Sequence, residues 1–162
     1  MRELFQIRAA VVQALTDAGL AAETAWHPDA AKRYPGPVAA VDVAKASGDA
    51  MGFCQYLGEI LEDGAPREVY GKQLEGVISV DVRAEKAADC ESGCETAAEV
   101  LLSGLPEGIR PGEMTWEGLT WDRASRMFLR RGSLQCRALF LARSGEEGET
   151  FLDFKLKGVV TT

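Results

Sequence analysis

Histidine occurs once among the 162 residues, at His27, and long apolar runs do not occur at all. The first shortage bears on catalysis. A serine or cysteine nucleophile activated by imidazole needs a histidine within hydrogen-bond reach. His27 sits between Trp26 and Pro28 in an irregular, Pro-rich stretch, where a loop histidine beside an aromatic anchor is the plainer reading. No GxSxG, no GxxxxGK(S/T) and no GxGxxG opening a helix is present, so the nucleophile elbow and the two common phosphate loops are excluded as motifs. The second shortage bears on membranes. A bilayer-spanning helix needs about 18 or more consecutive apolar residues, and the run from 138 to 142 is among the longest here. The start, Met1-Arg2-Glu3-Leu4, carries an acid where a secretory leader carries positive charge, and Arg8 and Gln13 interrupt the first apolar stretch. A cytoplasmic product is therefore expected, with Cys54, Cys90, Cys94 and Cys136 reduced.

What is present describes a packed chain. Apolar residues make up 46% and charged residues 27%, too apolar and too mixed in sign for disorder. The length fits a single domain over 1–162 with a core of its own. With 18 Lys+Arg against 25 Asp+Glu the net charge is −7, which argues against a general nucleic-acid binder, since such binding rests on neutralising phosphates.

Periodicity orders the elements. Leu4, Ile7, Val11, Ala14, Leu15 and Ala18 recur every three or four residues and Gly19 follows, the pattern of an amphipathic helix with a glycine stop. Residues 21–37 hold Pro28, Pro35 and Pro37 and read as a connection. Residues 38–44 read as a buried strand, after which Ser47-Gly48-Asp49 is expected to turn the chain. Residues 53–62 and 67–83 are expected to pair through the turn cluster at 62–66. Ile78, Val80 and Val82 alternate with Ser79, Asp81 and Arg83, the mark of a half-exposed antiparallel strand. A short second helix with Cys94, Ala97, Ala98, Leu101 and Leu105 along one stripe follows, with Ser92-x-x-Glu95 as a capping box and Gly104 or Gly108 as its end. Strands return at 115–121, 126–131, 133–143 and 149–157, the last entered through a turn at 144–148. The expected fold is α+β: a mainly antiparallel sheet of about five to seven strands, two helices packed on one face, and a long β-hairpin.

Four constellations could carry chemistry or contacts. Cys90-x-x-x-Cys94 sets two sulfurs one helical turn apart, and Cys54, Cys136 or His27 would complete a tetrahedral zinc site. Structural zinc sites favour tight CxxC knuckles, so the reading adopted is free thiols and no metal or cofactor. Carboxylate pairs such as Asp42 with Glu59 or Glu62 with Asp63 carry no spacing that selects an acid and a base, so no enzyme is expected. Trp26, Trp116 and Trp121 would suit a binding or inhibitor module, aromatic and Arg residues being common anchors. Charge is the most informative. Between 122 and 143 six arginines, Arg123, Arg126, Arg130, Arg131, Arg137 and Arg143, face one acid, a local charge of +5. Between 85 and 99 the acids Glu85, Asp89, Glu91, Glu95 and Glu99 face Lys86, a local charge of −4. Segregation of this kind suits contacts between copies, one copy's acidic helix (Glu91, Glu95, Glu99) meeting the next copy's arginines (Arg126, Arg130, Arg131, Arg137).

The N-terminal helix, the Tyr34-Pro-Gly-Pro37 connection, the strand Val38-Ala-Ala-Val-Asp-Val43, the hairpin ending in Gly76-Val-Ile-Ser-Val-Asp-Val-Arg83, the Ala- and Leu-rich helix and the closing strands together resemble the tail terminator (tail completion) proteins of long-tailed phages and prophages. The likeness runs over nearly the whole chain, with two departures: the closing segment 146–162 and the four cysteines. It implies a structural, non-enzymatic protein that forms a ring, usually of six copies, on the end of the tail tube, stops its polymerisation and offers a surface for head joining. The implied partners are other copies of itself, the tail tube protein and a head-completion or connector protein, with DNA passing the ring lumen. It would act in the host cytoplasm during assembly and then in the virion tail. A head–tail connector or another minor tail component is the neighbouring alternative.

Overall fold

In the computed structural model, which describes residues 2–24, 26, 34–50, 56–143 and 154–159, two helices and eight strands follow in the order α1 (Arg2–Asp17), β1 (Ala21–Glu23), β2 (Val38–Ala50), β3 (Tyr56–Glu62), β4 (Ala65–Ala84), α2 (Ala87–Ser103), β5 (Ile109–Trp116), β6 (Thr120–Asp122), β7 (Met127–Arg143) and β8 (Lys155–Leu156). The strands form one sheet whose main path is β1-β2-β4-β7-β5, with β3 beside β4 and with β6 and β8 beside β7. The fold is α+β as expected, with a larger sheet. Its pairs are antiparallel save β1 with β2. That parallel pair lies where a plain connection was expected. The long link between the two strands supplies the crossover a parallel pair needs.

Helix α1 buries Ile7, Val11 and Leu15 and stops at Gly19, whose φ is 90°. The Gly19 N–H donates to Thr16 O and the Leu20 N–H to Leu15 O, each at 3.0 Å, the paired bonds that close a helix through a left-handed residue. The expected turn at Ser47-Gly48-Asp49 is absent. These residues continue β2 and pair with Glu75, Leu74 and Gln73 of β4, because the partner strand supplies the hydrogen bonds that a turn would forgo. Gly48 serves contact instead, since a Cβ there would lie 2.6 Å from Leu74 Cδ2. The β3–β4 turn is a two-residue one, Asp63-Gly64, with φ of 54° and 78°, the handedness that matches the twist of a hairpin.

The second helix is not short. At 17 residues it exceeds the 16 of α1, and it begins at Ala87 with Lys86 as its N-cap and no side-chain capping bond. Ser92 therefore lies inside the helix, where the capping box expected of Ser92 and Glu95 cannot operate. Gly104 closes it, its N–H reaching Val100 O at 2.7 Å. The helix docks through small residues as expected: Cys90, Gly93, Cys94 and Ala97 are buried. Residues 126–131 and 133–143 are one strand, not two. Arg126 belongs to the turn before it, with a φ of 55°, and Gly132 continues the strand under the Trp116 ring, which a Cβ would meet at 2.5 Å. The strand expected at 115–121 is divided between β5 and β6. Of the strand expected at 149–157 the described part is β8, and Gln6 of α1 holds it: Gln6 Nε2 donates to Phe154 O and the Leu156 N–H donates to Gln6 Oε1, both at 2.8 Å. The turn expected at 144–148, the remainder of that strand, Cys54 and His27 lie outside the described residues.

Because side chains alternate along a strand, each long strand presents two faces. Toward the helices β4 offers Leu74, Ile78, Val80, Val82 and Ala84, and β7 offers Leu134, Cys136, Ala138 and Phe140; with the buried residues of α1 and α2 they make the core. The other face carries Glu75, Val77, Ser79, Asp81 and Arg83 of β4 opposite Arg137, Gln135, Ser133, Arg131 and Leu129 of β7. No helix covers it. At one end of that face Val38, Met127 and Leu129 are buried, and Arg83 is ion-paired with Asp122 at 3.5 Å while stacking on Trp26 at 4.6 Å.

Candidate assembly surface

The arginines of the +5 segment do not form one patch, because the two-residue period of β7 divides them. Arg130 stands opposite Val82 and faces α2, whereas Arg131 and Arg137 stand opposite Asp81 and Glu75 on the open face. Arg126 is exposed in the β6–β7 turn. Arg130 donates through Nε to Glu117 O at 2.9 Å and, with Glu91, Cys94, Glu95, Ala98 and Trp116, lines a shallow dent of about 290 Å³. The structure thus brings Arg130 together with Glu91 and Glu95 inside one chain. Glu99 continues the exposed acidic stripe along α2 beyond the dent. Arg137 is ion-paired with Glu75 at 2.9 Å, and Arg143 with Glu62 at 2.6 Å.

Burial decides the state of the cysteines. Cys90, Cys94 and Cys136 are buried free thiols, and desolvation pushes Cys94 up to about 12 and Cys136 to about 11. Cys90, raised in the same way, donates its Sγ hydrogen to Val82 O at 3.3 Å. Thiols held neutral by burial are poor nucleophiles and poor metal ligands. Among the described residues no three His, Cys, Asp or Glu side chains come together as a metal set, and no helix is long and apolar enough to cross a membrane. Of the three tryptophans, Trp121 is exposed and stacks edge-on with Phe128 at 5.0 Å. Trp116 packs on Gly132 and Trp26 on Arg83, so they do not form a common surface.

Two features go beyond the sequence expectation. The first is an arm. The hairpin expected of 53–62 and 67–83 is present as β3 and β4, but its apolar exposure was not foreseen. Strand β4 runs for 20 residues, about 65 Å at the usual rise, and among the described residues its first part, residues 65–68, pairs with β3 alone. Four of the eight large apolar side chains exposed among the described residues belong to β3: Tyr56, Leu57, Ile60 and Leu61, the last 80% exposed. The non-alternating order of apolar residues at 57, 60 and 61 is the signal for it, because a strand with one buried face would alternate. The second is a trough of about 530 Å³ crossing β2, β4, β7 and β5 at one level, with Lys45, Ser47, Glu75, Arg110, Gln135 and Arg137 among its walls. Register shifts in β2 between Val43 and Lys45 and in β5 between Pro111 and Met114 flank it, and bulges of this kind bend a sheet. No local pattern announces it, since its charges come from four strands far apart in sequence.

The class these observations define is an α+β chain with a half-covered sheet, a protruding hairpin and segregated charge. No family model and no curated protein matches it. Among solved structures it is similar to a chain of "Virion of native gene transfer agent (GTA) particle", at 18% identity and a TM-score of 0.36, over 83% of this chain and 94% of that one. A likeness that distant leaves the function to be argued from the residues.

Proposed function

We propose that this chain is a structural, non-enzymatic component of a phage-like particle, and that it works as a tail terminator, closing the end of the tail tube as a ring and presenting a surface for head joining. The observation that carries this reading is the arm. Tyr56 stacks on Tyr70 and Leu57 lies over Gly71, yet all four apolar side chains of β3 remain exposed, Leu61 the most. Exposed apolar patches mark contact surfaces, and edge strands left open are templates for pairing with another chain. The order of elements, which resembles that of the tail terminators, supports the same reading, as does charge separated into an acidic helix face and arginine-bearing strands. Arg126, Arg131 and Arg137 on one side and Glu91, Glu95 and Glu99 on the other are proposed as contacts between copies, with Arg130 lining the same dent as Glu91 and Glu95 in its own chain. Six copies is the ring number the resemblance implies, with DNA passing the lumen.

The test is electron microscopy of tail-tube protein polymerised with and without this chain. Tubes of restricted length with a ring at one end are the expected result; tubes of unrestricted length and bare ends would overturn the proposal.

A further inference from the structure

The trough and the arm carry opposite charge, and each holds a like-charge pair across a ladder. In the trough Arg110 stands directly opposite Arg137 in the β5–β7 register. On the arm Glu59 stands directly opposite Glu68 in the β3–β4 register. Like charges in directly opposed positions destabilise a sheet. Their counter-charges within the chain are few: Glu75 pairs with Arg137, whereas Lys45 and Arg110 make no ion pair among the described residues, and neither do Glu59 and Asp63. The arm between 56 and 68 holds the acids Glu59, Glu62, Asp63 and Glu68 against Arg67. Val77 and Pro111 give the trough an apolar floor that suits exposed Ile60 and Leu61.

The arm cannot reach the trough of its own chain. Both lie along β4, the turn at 63–64 and the trough at Gly76, so about twelve residues of continuous strand hold them roughly 40 Å apart. The occupant must come from elsewhere. Val77 and Pro111 in the trough wall offer a phosphate backbone nothing to bury, whereas the arm carries exposed Ile60 and Leu61 beside its acids, which favours an acidic, apolar-tipped hairpin over nucleic acid. We propose that the β3–β4 arm of one copy docks into the Lys45–Arg110–Arg137 trough of a second copy, Glu59 and Asp63 meeting Lys45 and Arg110 while Ile60 and Leu61 cover the floor. This rests on the self-assembly part of the proposed function and adds a second contact to the one between the acidic helix and the arginines. Repeated head to tail, the contact links each copy to two others, as a ring requires.

Charge exchange tests it. The trough variant is Lys45→Glu with Arg110→Glu; the arm variant is Glu59→Lys with Asp63→Asn, asparagine being chosen because it tolerates the left-handed backbone there. All four side chains are exposed, so each variant should keep the wild-type melting temperature. By sedimentation velocity at about 50 mM salt, each variant alone should self-associate at least tenfold more weakly than wild type. An equimolar mixture should recover part of the association, since the arm variant, brought from −3 to neutral with a cation at position 59, then faces the reversed trough while native arms face native troughs. Unchanged association of either variant would overturn the contact, and so would loss in both without recovery on mixing. So would a trough variant that loses retention of a 20-base-pair DNA while its association is unchanged. A wild-type chain that stays monomeric at the highest attainable concentration also overturns the contact. Tube ends still closed by such a chain, or by either variant, would leave the terminator reading standing.

Discussion

Between α2 and the sheet, position 93 has room for a hydrogen and nothing more. A Cβ on Gly93 would lie 2.7 Å from Pro37 Cβ and 2.9 Å from Val82 Cγ1, and both neighbours belong to or adjoin the central strands. Gly93→Ala is expected to lower stability by about 1–3 kcal/mol, read as a fall in the urea midpoint with an unchanged slope. Asp81, on the open face, has its pKa raised by desolvation against the pull of Arg83 and Arg131. A carboxyl that holds its proton more tightly folded than unfolded penalises the native state once pH exceeds its ordinary value of about 4, and imposes no penalty below it. Asp81→Asn should therefore raise the melting temperature at pH 7, and the gain should vanish as pH falls below about 4. Glu3 behaves in the opposite sense. The Lys72 ammonium at 2.8 Å lowers its pKa, so the stability this pair supplies is present at neutral pH and is lost as pH falls through that lowered value. The sequence offers Asp81 as one polar member of an alternating strand; that it is desolvated between two arginines depends on which residues of β7 stand opposite.

At the scale of elements, hydrogen bonds between distant segments decide what local pattern leaves open. Gln6 holds the backbone on both sides of Lys155 through two bonds of 2.8 Å. Replacing it by Ala should release β8, at a cost of about 1–3 kcal/mol, seen as faster amide exchange at Leu156 while that at Val80 is unchanged. Helix α1, the alternation of β4 and the 63–64 hairpin turn are legible in the sequence because each is decided by residues within one or two turns of chain. The continuation of β2 through Ser47-Gly48-Asp49 is not legible, because turn-forming residues there are overruled by the ladder of β4. The same holds for Ser92, a good N-cap by type, which sits inside α2 because the chain enters the helix directly from β4. The division of the arginines is the instructive middle case. Arg130 against Arg131 and Arg137 is a difference of parity along one strand, readable once residues 127–143 are known to be a single strand and not two.

For the whole molecule the expectation is an association driven by charge. Contacts of this kind weaken as the screening length falls from about 10 Å at 0.1 M salt to about 3 Å at 1 M, so oligomer mass should fall steadily across that range. The arginines should separate by role. Arg126→Ser should weaken association and leave the melting temperature alone, its side chain being exposed in a turn, whereas Arg131→Ser should weaken association and also lower the melting temperature at pH 7, because Arg131 offsets the desolvation of Asp81. Arg130→Ser should lower the melting temperature instead, because it removes the bond to Glu117 O and the cation beside Glu91 and Glu95. Equal effects on association from all three would return the charges to a single patch. The linear sequence by itself determined the fold class, the two helices, the alternating core strand and the separation of charge along the chain, since these follow from periods of 3.6 and 2 and from local turn chemistry. Which charges share a surface was decided by the tertiary structure alone. Lys45, Glu75, Arg110 and Arg137 become neighbours through strand register, and register is set by the burial of the opposite face.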